Sequence, residues 1–305
     1  MAQEAIDKLA DIPLFDGVDL GAVRVRRLGG LTNRNYKIES PLGSFVLRLA
    51  GEGTDAYIDR AVESHNARAA ARAGVNAEVM FFDAADGAML CRYVEGSVTL
   101  DEAGFKDLGA VARAGVAFRR LHDCSQPFDS RFDLFDKIDD YIALLAGLGA
   151  KLPDGYDAVR KAADAVRAAL GAHELPSAPC HCDPLAENFL DTGERIFIID
   201  YEYAGANDPM WDLGDLSVEA GFDERQESAL LAAYFGGDAP AFDVGRMVMY
   251  KAMCDLLWTL WGVIQHANDN PAEDFWAYAT GRLERCRALM ASPGFPGHLA
   301  AVREG

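Results

Sequence analysis

The sequence predicts an α+β fold in two lobes. Residues 1–94 build a small antiparallel β-sheet lobe with one main helix, and residues 95–305 build a larger, mainly helical lobe. Three observations predict it. Short β-like runs bounded by Gly, Asn and Asp crowd the first third of the chain. From Leu100 onward apolar residues recur at helical spacing instead. Between helical segments, residues 179–203 set polar, chemistry-bearing side chains around a short hairpin pattern. A length of 305 residues allows one large or two medium domains with an ample core.

The elements follow in chain order. Residues 1–20 read as a short polar helix and a turn, and Val23–Leu28 alternates as a strand. Gly29-Gly30-Leu31-Thr32-Asn33 then joins two strands, where paired glycines allow a tight turn or a close backbone approach to an anion. Gly43–Ala50 is a further strand with Arg48 in its middle. Residues 55–73 read as an Ala-rich helix, with Asp55 as its N-cap and Gly74 as its end signal. Strands around Glu78–Phe82 and Ala88–Val94 complete a five-stranded sheet, and the chain leaves through Arg92, Tyr93 and Val94. Helices follow over 103–122, 135–150 and 154–172, and the segment from Tyr203 to Leu216 reads as an ordered loop entering a helix. A long helix over 244–267 puts Lys251, Asp255, Trp258 and Gly262 on one face, with Trp261 and Gln265 on its flank. Ala252, Leu256, Leu260, Val263 and Ile264 lie largely opposite, as core. The sequence has no internal repeat and no low-complexity linker.

Composition narrows the function. The formal charge is −19, which argues against a nucleic-acid footprint and against attraction to anionic lipid. It repels a nucleotide at long range and attracts a cation, so any nucleotide site relies on local Arg, Lys and Mg²⁺. The six cysteines, at 91, 124, 180, 182, 254 and 286, are scattered and mostly lie in apolar surroundings. They predict reduced thiols, no zinc site and a cytoplasmic location. The first fifteen residues lack the pattern of a signal peptide, and no apolar run is expected to insert in a membrane.

The chemistry concentrates in His181-Cys182-Asp183-Pro184-Leu185-Ala186-Glu187-Asn188, followed by a turn and by Ile196-Phe197-Ile198-Ile199-Asp200. A hairpin places Asn188 before its first strand and Asp200 at the end of its second, side by side. Two such oxygen ligands suit Mg²⁺, which takes one or two protein oxygens together with substrate phosphates. The order of parts is that of phosphoryl transfer: a catalytic Asp, a metal-binding Asn five residues on, and a metal-binding Asp at a strand end. Cys182 stands where protein kinases carry Arg, and Asp200-Tyr201-Glu202 where they carry D-F-G, which argues against a protein substrate. On the long helix, Trp258 and Trp261 lie one turn apart beside Asp255. Aromatic faces beside a carboxylate suit a quaternary ammonium, each contributing about 0.5–2 kcal/mol.

Together with Gly29-Gly30-Leu31-Thr32-Asn33-x-Asn35-Tyr36 and Trp258-x-x-Trp261-Gly262-x-x-Gln265, these motifs resemble the bacterial members of the choline/ethanolamine kinase family, within the aminoglycoside phosphotransferase and protein-kinase-like superfamily. The resemblance runs from Gly29 to Gln265. It implies a protein-kinase-like bilobal fold and transfer of the ATP γ-phosphoryl group to the hydroxyl of choline. By resemblance Asp183 orients and deprotonates the hydroxyl, and Asn188 and Asp200 hold Mg²⁺. Gly30, Leu31, Thr32, Asn33 and Arg48 hold the ATP phosphates, with Glu63 as the partner of Arg48. Arg92, Tyr93 and Val94 form the hinge beside adenine. Glu202, Tyr203, Asp255, Trp258, Trp261 and Tyr278 surround the cationic head. Asp212 resembles the acid that supports the catalytic loop from beneath. Thiamine, ethanolamine or an aminoglycoside are the alternative acceptors, and a kinase-fold binding protein with little turnover is the alternative class. A homodimer is compatible with the sequence.

Overall fold

The computed structural model describes residues 2–30, 33–51 and 58–305. Helix α1 (Ala2–Ala10) leads into an antiparallel sheet of β1 (Arg24–Arg27), β2 (Arg34–Ser40), β3 (Gly43–Leu49), β4 (Val79–Phe82) and β5 (Met89–Arg92), in spatial order β1-β2-β3-β5-β4. The period of two sorts its faces. Tyr36, Ile38, Phe45 and Leu47 are buried with Leu9, Ile12 and Phe15 in a core of their own. Arg48 and its cross-strand partner Asn35 belong to the other face. Arg48 is nonetheless buried, because its guanidinium meets Glu63 on helix α2 (Arg60–Arg72).

Helix α2 starts later than the sequence suggested. Asp59 is its N-cap, accepting from the amides of Ala61 and Val62, while Asp55 lies outside the described residues. The helix ends in a Schellman-type turn at Gly74 (φ 72°), where the Val75 amide donates back to Ala70.

The second lobe opens with β6 (Val98–Thr99) and helices α3 (Leu108–His122), α4 (Leu134–Leu148) and α5 (Tyr156–Leu170). The expected helix from 103 begins as a 3₁₀ turn, Gly104–Lys106, and Asp107 caps α3 through the amides of Gly109 and Ala110. Then come β7 (Ala178–Cys180), β8 (Phe189–Asp191), β9 (Ile196–Ile198) and β10 (Gly205–Asn207). The β8–β9 hairpin forms as the sequence predicted. Two pairings were not foreseen: β6 extends that hairpin to three strands, and β10 pairs with β7. Strands of two or three residues leave too short a pattern to read. Helices α6 (Pro209–Glu219), α7 (Glu224–Phe235), α8 (Ala241–Ala267), α9 (Phe275–Met290) and α10 (Phe295–Glu304) finish the lobe.

Helix α8 is its axle, with α4, α6, α9 and α10 packed around it. Its residue pattern predicts one core face and one mixed face; the surrounding helices bury most of both, including Asp255, Thr259 and Gly262. Its length and hydropathy would let it cross a membrane. However, 83% of its most apolar window is buried inside the protein, as befits a core helix.

Candidate active site

The hairpin that carries Asn188 and Asp200 hangs from β7 and returns through β10. Cys182 and Asp200 both sit at positive φ, 68° and 72°, a conformation that non-glycine residues avoid unless their surroundings hold them. The Ile199 amide donates to the Asn188 carbonyl at 2.9 Å, which brings residues 188 and 200 alongside each other. The Asn188 side-chain amide donates to the Asp183 carbonyl at 3.2 Å, leaving its Oδ1 to face elsewhere. An amide oxygen and a carboxylate on adjacent strand ends beside Asp183 are the kinds of donor that fit a hard cation.

What holds this strained turn is Asp212, fully buried on α6. Its carboxylate accepts from the amides of His181 (2.7 Å) and Cys182 (2.8 Å), and it lies 3.0 Å from His122 Nε2. The far nitrogen of His122 meets the Tyr234 hydroxyl at 2.9 Å, and Trp211 donates to the Cys182 carbonyl at 3.2 Å. His122 thus steadies the loop through Asp212. Asp212 does not cap its own helix: Asp208 does, accepting from Met210. His181 Nε2 lies 2.8 Å from the Ile199 carbonyl and so ties the loop to the strand end that carries Asp200.

On one side of Asp200 lies an ionic network. Arg48 pairs with Glu63 and reaches Glu202 (3.4 Å) and Asp200 (3.5 Å), while its other fork nitrogen donates to the Gly87 carbonyl (3.2 Å). Arg60 bridges Glu63 and Glu202, both at 2.8 Å. Asn33 donates to Glu202 at 3.1 Å and accepts from the Gly51 amide, anchoring the first loop to the strand end that carries Asp200. Gly30, at φ 149°, leaves no room for a side chain: a Cβ there would stand 2.5 Å from the Asn33 carbonyl. Burial opposes the charge of Arg48, but Glu63, Asp200 and Glu202 together outweigh it and the guanidinium is held charged. Burial, then Glu202, push the Asp200 carboxyl up to about 7, against the pull of Arg48.

On the other side lies a second acidic group. Asp215 and Glu219, one turn apart on α6, approach Cys254 on α8. The Asp215 Oδ1 accepts from Cys254 Sγ at 3.1 Å, while its buried Oδ2 has no partner among the described residues. Arg282 grips Glu219 with both fork nitrogens (2.5 and 2.7 Å) and reaches Asp255 (3.3 Å), which Arg285 also holds (2.6 Å). Arg282 also lies over the Tyr278 ring, 4.8 Å from its centroid. Tyr278 meets Trp261 edge-on at 5.7 Å, and Trp261 meets Trp258 at 5.9 Å and 88°. Asp183 joins the two sides. Burial, then Glu219 and Asp200, raise its carboxyl to about 8, with Arg282 opposing.

Comparison with known proteins fits this architecture. Residues 24–247 match the model of the phosphotransferase enzyme family. The chain belongs to that family. This phosphotransferase is 53% identical, with a TM-score of 0.91, to a choline/ethanolamine kinase family protein from Mesorhizobium loti, over 100% of this chain and 99% of that one. It is 26% identical, with a TM-score of 0.75, to the choline kinase LicA from Streptococcus pneumoniae, over 94% and 99% of the two chains. Protein LicA of Haemophilus influenzae is 30% identical over 274 residues, 86% of this chain and 78% of that protein. The fold is the protein-kinase-like one of these structures. The phosphotransferase uses ATP and an alcohol acceptor.

Several expected site residues stand differently from the sequence reading. Glu202 is turned to Arg60, Arg48 and Asn33, not held ready for an acceptor cation. Asp255 is likewise engaged by two arginines, because α9 lays Arg282 and Arg285 against α8. The fork of Arg48 faces carboxylates and a carbonyl where the sequence reading had phosphate oxygens. Arg92 is exposed on β5 and pairs with Glu78 at 2.8 Å; the Tyr93 amide donates to Ser44, and the Val94 carbonyl accepts from Ser97. Tyr203 is half-buried and packs on the main core. Leu31 and Thr32 lie outside the described residues. Sequence reasoning missed Asp215, Glu219 and Arg282. Asp212, Asp215 and Glu219 recur at helical spacing within an otherwise apolar helix, a signal that could have found the first two.

Proposed function

We propose that the phosphotransferase transfers the ATP γ-phosphoryl group to the hydroxyl of choline. The observation that carries this is the run of contacts from Glu219 through Arg282 to Tyr278, Trp261 and Trp258, with Asp183 close enough to feel the charge of Glu219. It supplies a base, a negative charge and edge-packed aromatic faces in sequence. A quaternary ammonium gains from such faces and has no N–H to satisfy. In this reading Asp183 orients the hydroxyl and accepts its proton, and Asn188 and Asp200 would hold Mg²⁺. Bound there with ATP, the metal neutralises charge that develops on the phosphates. The network of Arg48, Glu63, Arg60, Glu202 and Asn33 fixes the first lobe against the metal-binding strand end, so catalysis rests on positioning and electrostatics. The reading carries a cytoplasmic location for the product.

Ethanolamine is a second reading, and one observation favours it: the unpartnered Oδ2 of buried Asp215 would suit an ammonium that carries N–H groups. ATP- and Mg²⁺-dependent phosphorylation of choline, ethanolamine, thiamine, homoserine and an aminoglycoside tests both. Preference for choline, lost in Trp258→Ala, supports the main reading. Preference for ethanolamine, lost in Asp215→Asn, supports the second. Transfer only to thiamine, homoserine or the aminoglycoside overturns both.

A further inference from the structure

A second cleft is locally basic in an acidic chain. Helix α2 ends at Gly74, and beside it lie α3 and the turn between β8 and β9. The three enclose a cavity of ≈ 250 Å³ lined by Gly74, Val75, Arg113, Arg120, Glu194 and Arg195, among others. In a chain of formal charge −19, three guanidiniums converge here.

They are not equally neutralised. Arg113 is held by Asp191 in a two-pronged pair (2.9 and 2.6 Å). Arg120 is exposed and forms no hydrogen bond or ion pair among the described residues. Arg195 donates to the Gly74 carbonyl and stacks on Phe197 at 4.4 Å, but among the described residues its buried Nε has no partner and no carboxylate pairs with it. Burial, then the charge of Arg120, depress the basicity of Arg195. The two guanidiniums therefore face each other uncompensated. A Cβ placed on Gly74 would stand 3.5 Å from an Arg195 fork nitrogen and 4.0 Å from one of Arg120, so both reach into the same space. Glu194, exposed in the same turn, is the one acid of the lining.

We propose that Arg120 and Arg195 form a binding site for a phosphate group, inorganic phosphate or a small phosphomonoester, in the cleft at the carboxy-terminal end of α2. Two guanidiniums with free N–H groups on converging forks match the oxygens of a tetrahedral anion. The cavity is wide enough for a phosphate and for a small organic ester. The site is also tied to the catalytic hairpin. Arg195 lies in the turn between β8 and β9, and the Ile198 amide donates to the Val75 carbonyl at 2.9 Å. An anion here bridges α2, which carries Glu63, to the hairpin flanked by Asn188 and Asp200.

Isothermal titration at constant ionic strength tests this on the full chain. Inorganic phosphate and glycerol phosphate are the probes, with Mg²⁺ and a non-hydrolysable ATP analogue saturating the catalytic site. The expected result is saturable binding of at least one probe, weakened about tenfold or more in Arg120→Ala and abolished in Arg120→Glu. Phosphate as the better probe identifies the free ion as the ligand class, and glycerol phosphate as the better probe identifies an ester. Arg120 is exposed and unpartnered, so both variants should fold and keep basal phosphotransfer. Arg195→Lys, which keeps the charge but loses the fork, should weaken binding less than Arg120→Glu. Binding that disappears when the catalytic site is filled, or that is unchanged in Arg120→Glu, overturns the proposal.

Discussion

Removing the Asp212 carboxylate should release the catalytic loop. The side chain is fully buried and accepts two backbone hydrogen bonds, from His181 and Cys182, while contacting His122. Hydrogen bonds to an ionised acceptor contribute about 1.5–3 kcal/mol each. Against this stands the cost of keeping a carboxylate out of water, so the net loss on breaking such a buried arrangement is about 3–5 kcal/mol. For a chain of this size that lowers Tm by roughly 10 °C. The catalytic effect should exceed the stability effect. Cys182 is held at positive φ, and without Asp212 the turn has two orphaned amides and every reason to relax. A displacement of Asp183 by about 1 Å costs on the order of 10²-fold in rate. Asp212→Asn should fall between wild type and Asp212→Ala, since its amide keeps one acceptor oxygen but turns an NH₂ toward a backbone N–H. Thermal unfolding and ATP turnover, measured on both variants, give the two readouts. An Asp212→Ala protein with Tm within about 2 °C of wild type and unchanged kcat would refute the reasoning.

Other outcomes follow from the same geometry. Asp183→Asn should lower kcat by about 10³-fold or more and leave Tm unchanged or raised, because it removes a carboxylate that burial and Glu219 already disfavour; retained turnover overturns its role as base. Glu63→Gln should lower kcat/KM for ATP about tenfold or more, since Arg48 then turns wholly to Asp200 and Glu202; unchanged ATP kinetics would show that the pair is only a packing feature. Burial, then Glu219 and Asp183, hold the Asp215 carboxyl well above its ordinary range. A folded-state pKa above the unfolded one gives stability that is fully present below about pH 4 and is lost as pH rises. Calorimetry should therefore show Asp215→Asn gaining Tm over wild type at pH 8 and losing that advantage toward pH 5; an equal difference at both pH values contradicts it.

Local chemistry was legible and long-range pairing was not. The hairpin of Asn188 and Asp200 could be read because its ligands, turn and strands are contiguous. Arg48 and Glu63 could be paired because a strand and the following helix pack by a known plan. Trp258 and Trp261 could be read because one helix carries both. By contrast, Arg60 meets Glu202, and Arg282 meets Glu219, across folds of chain that no periodicity links. The same distance effect explains Glu202 and Asp255. As sequence, each is a carboxylate beside aromatic residues and free to meet a cation. In the fold each is claimed by arginines from another element. The start of α2 has a local cause: the Asp59 side chain accepts from the first-turn amides and caps the helix there.

Buried ion pairs are weak evidence for stability, because desolvation takes back most of what attraction gives. Two such networks flanking one carboxylate therefore point to positioning and charge. On one side, two guanidiniums, Arg48 and Arg60, meet three carboxyls among the described residues, Glu63, Asp200 and Glu202. On the other, Arg282 and Arg285 meet Asp255 and Glu219, and beside them burial holds the carboxyls of Asp215 and Asp183 toward their protonated forms. In the proposed reading, a neutral alcohol entering the second side would leave those carboxyls protonated. A monocationic alcohol would favour their ionised forms, giving itself a counter-charge and Asp183 the form that accepts the hydroxyl proton. The arrangement would thus discriminate by the sign of the acceptor before any contact with its alkyl groups, and the aromatic faces would then decide among cations. Selection in this order predicts that uncharged alcohols of choline's size fail as acceptors even where they fit, and competition assays with 3,3-dimethylbutanol, the uncharged isostere of choline, measure that directly: inhibition as strong as that of choline itself would show that shape, not charge, governs entry.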